Sequence, residues 1–315
     1  MKKNRNHATS TWTKKLPSGL RATYTLPFFL LVAALMLPQW TEARKRIPAF
    51  ITAGQSNTDG RVPNTQLPNY IKLHKYQHTY WCYNNGVYSS QGKFSLFWPR
   101  IYNEQTPDKW AYDAVTYYYL DQSMGTDYNI IKESKGGTSI NPDCNSTDDM
   151  HWSASPAYLS QTAAADKGGK SMLKALCDNI DLCLEKEDLE FKALLWHQGE
   201  SDHHCEASYY ENLKAVIAYI RHHLVEKTGN KKYSRLPFII GGISHKSQDY
   251  SPQVEAAQRR LSQEDKNVHL VEVPDASLQG DHLHFDAQGA EMLGKKMYNK
   301  LVELQLAGKK AKFIL

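Results

Sequence analysis

Zinc-site cysteine pairs are absent. The 315-residue chain has five cysteines, Cys82, Cys144, Cys177, Cys183 and Cys205, and no two of them form a CxxC pair. That removes the common structural zinc arrangements. No apolar run reaches the roughly 20 residues a membrane-spanning helix needs. The clearest one, "LPFFLLVAALML", covers only residues 26–37. No internal repeat or low-complexity tract is visible. An imbalance of charge is also missing once the chain is divided. The formal net charge of +5 lies wholly within residues 1–43, where six Lys and Arg face the single acid Glu42. The remainder is formally neutral, so net charge gives no support to nucleic-acid binding.

What is present at the start is a leader. Lys2, Lys3, Arg5, Lys14, Lys15 and Arg21 precede the apolar run, and Thr41-Glu42-Ala43 ends it on a small residue. This is the layout of a secretory signal peptide with a long basic region; an uncleaved anchor is the alternative. Residues 1–43 are therefore expected to be a signal peptide. Residues 44–315 are expected to be one domain, exported to the periplasm or beyond, with no other membrane segment. A hydrophobic content of 41% suits a globular chain of this size.

Five short apolar runs read as strands: "IPAFITA" (47–53), "YNIIK" (128–132), "EFKALLW" (190–196), "PFIIGGI" (237–243) and "VHLVEV" (268–273). Their near-continuous apolarity suits strands buried on both faces of a parallel sheet. Helix-period segments are expected over 108–122, 170–187, 206–227, 251–265 and 286–304. The alternation predicts a three-layer α/β/α sandwich around a five-stranded parallel sheet. In such a fold ligands bind beyond the carboxyl ends of the strands.

Polar clusters follow four of the five runs: Gly54-Gln55-Ser56-Asn57, "KESKGGTSIN" (132–141), "WHQGESD" (196–202) and "GDHLHF" (280–285). Singly, each suits a turn or a cap. Together they hold what acyl-ester hydrolysis needs: a hydroxyl nucleophile, an imidazole base, an acid to orient it and oxyanion donors. Ser56 is the candidate nucleophile and His284 the base. Asp281 lies three residues before His284, within reach of Nδ1 on one helical turn. The Ser56 N–H, a glycine N–H from Gly136 or Gly137, and the Gln198 amide are candidate oxyanion donors.

These four blocks resemble the SGNH (GDSL-type) hydrolase superfamily, which is flavodoxin-like. They resemble more closely its sialate O-acetylesterase branch, which is similar to the family 6 carbohydrate esterases. The resemblance spans most of residues 47–304, and "GQSN" with "HQGESD" is its most specific pair. It implies a serine esterase acting on acetylated carbohydrate, either sialic acid or hemicellulose sugars, without metal or organic cofactor. Ser56, Gly137 and His284 match its nucleophile, oxyanion glycine and base. Gln198 stands where many members have Asn. Both Asp281 and Glu200 can be the orienting acid; local geometry favours Asp281. Gln55, Asn57 and Arg61 are candidate substrate contacts, Arg61 as a guanidinium for a sugar carboxylate. The rival readings are an acetylxylan, lipid or short-chain esterase of the same superfamily, or a catalytically silent carbohydrate-binding protein.

An exported chain tolerates disulfides. Cys144 lies seven residues after Gly137 and Cys205 five after Glu200, in loops expected on one edge of the sheet. Either these two pair or all five cysteines are reduced. Oligomeric state is not legible.

Overall fold

The computed structural model describes residues 46–85, 88–99 and 109–314. The signal peptide expected over residues 1–43 lies outside them. Among the described residues no helix is long and apolar enough to cross a membrane.

The sheet is built on β1 (Ile47–Gly54), which is buried from Ala49 onward. Its side chains alternate: Ala49, Ile51 and Ala53 enter one core, and Phe50 enters the other. Thr52 sits at a core position, where its hydroxyl accepts from the Tyr117 O–H at 2.6 Å. Burial on both faces is what the apolar run required.

Among the described residues seven strands form the sheet rather than the five expected. They are β1, β2 (Thr79–Asn84), β3 (Ser95–Leu96), β4 (Tyr128–Ser134), β5 (Leu189–His197), β6 (Phe238–Gly241) and β7 (Val268–Val271), in spatial order β3-β2-β4-β1-β5-β6-β7. All neighbours are parallel except β3, a two-residue antiparallel strand at the β2 edge. The overlooked β2 reads "TYWCYN", with polar residues at both ends and aromatics between. Trp81 and Tyr83 face one core and Cys82 the other, so the period-2 signal was there.

All five expected helices form: α1 (Asp113–Met124), α2 (Met172–Leu184), α3 (Tyr209–Thr228), α4 (Pro252–Glu264) and α5 (Ala287–Glu303). Side-chain caps fix three starts: Ser171, Ser251 and Asp286 accept from the backbone N–H of Lys174, Val254 and Gly289. The apolar faces of α2, α3 and α4 fill one core, and those of α1 and α5 the other. The result is a three-layer sandwich.

Two charged groups lie under the carboxyl edge of β4. Lys132 Nζ meets Asp113 Oδ2 at 2.6 Å, both side chains being buried, and so ties the strand to α1. Its neighbour Glu133 points to the other face. It is fully buried, and neither carboxyl oxygen has a hydrogen-bond partner. Burial, reinforced by the Asp166 charge, pushes this carboxyl well above the usual carboxylate range.

Candidate active site

The first turn after β1 is forced by close approach. Gly54 has φ +152°, and a Cβ there would lie 2.1 Å from the His197 carbonyl oxygen. The Gln55 N–H donates to that carbonyl at 3.0 Å. Ser56 then opens a one-turn helix, Ser56–Asp59, whose first N–H groups have no intrahelical partner. Ser56 is 4% exposed and lines a cleft of about 330 Å³.

His284 lines the same cleft. Its Nδ1 lies 2.7 Å from Asp281 Oδ2. Asp281 Oδ1 accepts the backbone N–H of Leu283 and of His284, each at 3.0 Å. Partial burial pushes the Asp281 carboxyl up, but these N–H bonds and the His284 ring outweigh it and hold it below the usual carboxylate range. An ionised carboxylate only accepts, so Nδ1 is the ring nitrogen that donates to it, which in a neutral imidazole leaves the lone pair on Nε2.

Glu200 is placed elsewhere. It is 1% exposed, and its Oε1 accepts from Asn57 Nδ2 and pairs with His197 Nε2, each at 2.9 Å. His197 Nδ1 donates to the Gly241 carbonyl at 3.0 Å. Burial raises the Glu200 carboxyl, but the His197 ring and the Asn57 amide lower it further, to below its ordinary value. Glu200 therefore orients His197, whereas Asp281 holds His284.

Asn57 was expected to touch substrate and is instead turned inward. Besides donating to Glu200, it accepts the Phe285 N–H on Oδ1 at 3.0 Å. The residue after Ser56 thus holds the residue after His284. Gln279 adds a second tie by donating to the Arg61 carbonyl at 3.0 Å. Gln55 does line the cleft, but its Oε1 accepts from Gly199 and Ser201 N–H.

Gln198 does not reach the cleft either. Its amide nitrogen donates to the Thr138 carbonyl and to Asp202, and its oxygen accepts from the Tyr209 O–H. A third oxyanion donor from this side chain is therefore corrected to a loop-fixing role. The glycine pair does reach the cleft. A Cβ on Gly136 would lie 3.4 Å from Ser56 Cβ and 2.0 Å from Arg61 Nη2, so a side chain there would fill the space beside Ser56. Gly137 also lines the cleft and has φ +70°.

Arg61 enters the same wall. Its Nη1 donates to Asp59 Oδ2 and to the Gly60 carbonyl, each at 2.7 Å, which aims Nη2 at Gly136. Lys135 is a second cation lining the cleft. Sequence reasoning passed over Lys135, Ser201 and Asp249, which also line it. Lys135 was within a quoted block. Asp249 follows β6, the one expected strand whose polar continuation, "SHKSQD", was not singled out.

The crosslink is present: Cys144 and Cys205 form a disulfide with Cα atoms 6.0 Å apart. It joins the loop after β4 to the loop after β5. Cys82, Cys177 and Cys183 are free and buried.

The sequence profile of a carbohydrate esterase family, sialic acid-specific acetylesterase, matches residues 114–303. The chain belongs to this family. It is accordingly a carboxylic ester hydrolase. The match includes Asp281 and His284 and begins after Ser56, so the placement of Ser56 rests on geometry. This carbohydrate esterase has the fold of a protein from Arabidopsis thaliana (19% identity, TM-score 0.61, covering 82% of this chain and 99% of that one). NanS is similar over 82% of this chain and 98% of its own, at 14% identity and TM-score 0.55. A carbohydrate acetylesterase from Xanthomonas citri is similar over 80% of this chain and 55% of its own, at 14% identity and TM-score 0.52. At such identities the likeness establishes the SGNH-type fold alone. Comparison with curated proteins found no match.

Proposed function

We propose that this carbohydrate esterase removes O-acetyl groups from an acidic sugar, sialic acid, through an acyl-enzyme on Ser56. His284 Nε2 takes the Ser56 hydroxyl proton as Oγ attacks the acetyl carbonyl. Asp281 stabilises the imidazolium that forms. The negative charge on the carbonyl oxygen is met by the Ser56 N–H and by an N–H of the Gly136-Gly137 segment. Collapse expels the sugar alkoxide, which receives the proton from His284. Water, activated by the same Nε2, then releases acetate and restores Ser56. Gln198 has no part in these steps.

The observation that carries the substrate assignment is the shared wall. Ser56 and the Asp281-oriented His284 line one cleft with Arg61 and Lys135. Arg61 is paired with Asp59 at 2.7 Å through Nη1, and Lys135 with Asp148 at 3.2 Å. Arg61 Nη2 nevertheless stays turned to the Gly136 wall, and a guanidinium donor beside Ser56 suits an ester whose sugar bears a carboxylate. Export by the leader belongs to this reading and is supported by the disulfide, which suits an oxidising compartment.

The test is acetate release from O-acetylated sialic acid and from an uncharged acetyl ester, with Arg61→Ala beside the native enzyme. The expected result is a KM raised about tenfold or more for the sialic acid, the worth of one charge-assisted hydrogen bond, and little change for the neutral ester. Equal losses on both substrates would assign Arg61 to loop support. Preference for neutral acetylated xylan over sialic acid would overturn the acidic-sugar reading.

A further inference from the structure

The cleft does not end at the acetyl site. A second hollow of about 760 Å³ adjoins it and shares Gly137, Thr147, Ser201 and Asp249 as common walls. Its outer part is formed by the Cys144–Cys205 disulfide, Asp143, Asn145, His203 and His204. Asp143, Asn145 and His204 are exposed, so their polar groups are available to a ligand. The two imidazoles lie ring to ring, with centroids 3.7 Å apart. His203 is further fixed by its Nδ1, 2.6 Å from the Glu200 carbonyl. The polar groups here are carboxylates, an amide, hydroxyls and imidazoles, which pair well with the hydroxyls of a sugar. The volume lies within the range of small-molecule sites.

The two hollows differ in charge. Both have two carboxylates, Asp59 and Asp249 in the inner one and Asp143 and Asp249 in the outer, but among their described lining residues only the inner one has cations, Arg61 and Lys135. An acidic sugar fits the first, and a neutral sugar fits the second. Like charge would disfavour a second acidic residue there.

We infer that the outer hollow is a subsite for a neutral sugar linked to the acetylated acidic one, so that the preferred substrate is a glycoside-linked residue rather than the free monosaccharide. This rests on the acidic-sugar reading above and deepens it. The disulfide ties the loop of Asp143 and Asn145 to the loop of His203 and His204, and Gly137 lines the same hollow, so a sugar held there lies next to the ester site. The subsite takes no part in bond making or breaking.

The experiment compares kcat/KM, by acetate release, for three substrates: O-acetylated free sialic acid, the same residue linked to lactose, and the same residue linked to a second sialic acid. Native enzyme, His204→Ala and Asp143→Lys are assayed, with 4-nitrophenyl acetate as a control for the chemical machinery. The lactose-linked substrate is expected to exceed the free sugar by about tenfold, the gain from one or two added hydrogen bonds. His204→Ala should shrink that gap while leaving the free sugar and 4-nitrophenyl acetate unchanged. Asp143→Lys should raise the disialyl substrate relative to the lactose-linked one. A ratio near one in the native enzyme, or a gap that neither variant moves, overturns the subsite. Turnover of 4-nitrophenyl acetate with no acetate from any of the sialic acid substrates refutes the acidic-sugar reading itself, and the subsite with it.

Discussion

Replacing Asp281 by Asn separates the two carboxylates that compete for the acid's role. Asp281 uses both oxygens as acceptors: Oδ2 faces His284 Nδ1 at 2.7 Å, and Oδ1 takes two backbone N–H groups. An Asn offers one oxygen and one NH2. If the oxygen keeps the two N–H groups, the NH2 meets Nδ1, which must then accept. The hydrogen moves to Nε2 and the base is lost. The opposite rotamer sets the NH2 against two backbone donors. In a buried serine triad this exchange lowers kcat by about 10⁴-fold. The Asp281 side chain is 47% exposed, so water substitutes in part, and a loss of about 10²–10³-fold is expected, or roughly 3–4 kcal/mol of barrier. Glu200→Gln perturbs differently. Its Oε1 already accepts both partners while Oε2 has none, so the amide oxygen can keep both contacts. The loss of charge beside His197 should lower stability by about 1–3 kcal/mol and kcat less than about tenfold. The assay is kcat on 4-nitrophenyl acetate together with thermal melting of each variant. If Glu200→Gln loses the rate and Asp281→Asn keeps it, the orienting role passes to Glu200 and the local geometry has been misread.

Ser56→Ala and His284→Ala should each abolish most esterase activity with near-native melting, and the double variant should be little worse than either, since triad members act as a unit; multiplicative losses on acetate release would exclude a shared triad. Glu133→Gln tests the unpaired acid. A carboxyl raised in the folded state and ordinary in the unfolded one costs stability as pH rises above its unfolded value of 4.5 toward the raised folded value. The variant should therefore gain melting temperature over the native enzyme at pH 8 and little at pH 4; equal gains at both would show that the carboxyl is not displaced. Thiol titration of the unfolded, unreduced chain should find three thiols, those of Cys82, Cys177 and Cys183, whereas five would remove the crosslink.

What could be read in the sequence was what is local. Asp281 and His284 are three residues apart, so their pairing follows from one turn of backbone. The five strongly apolar strands announce themselves by composition. β2 did not, because its Tyr, Trp and Asn content reads as loop unless its alternation is weighed. Asn57 and Gln198 were placed in the right loops but with the wrong orientation. Asn57 faces residues 143 and 228 positions away, and Gln198 a carbonyl 60 positions away. Nothing in a polar side chain's spelling says whether its partner will be substrate or another loop. The disulfide was open to inference because both loops had already been assigned to the same sheet edge.

The Asn57 side chain has a consequence for how activity arises. Its two hydrogen bonds span the ends of β1, β5 and the segment after β7, which are elements from the beginning, middle and end of the domain. Until the final segment docks, Ser56 can adopt its turn, but Phe285, and with it His284, has no fixed position. Hydrolysis should therefore appear late in refolding, with closure of the last strand and helix rather than with collapse of the first ones. During unfolding it should vanish as soon as that last segment detaches, while most of the sheet still stands. Turnover thus serves as a gauge of whether the two ends of the domain have met.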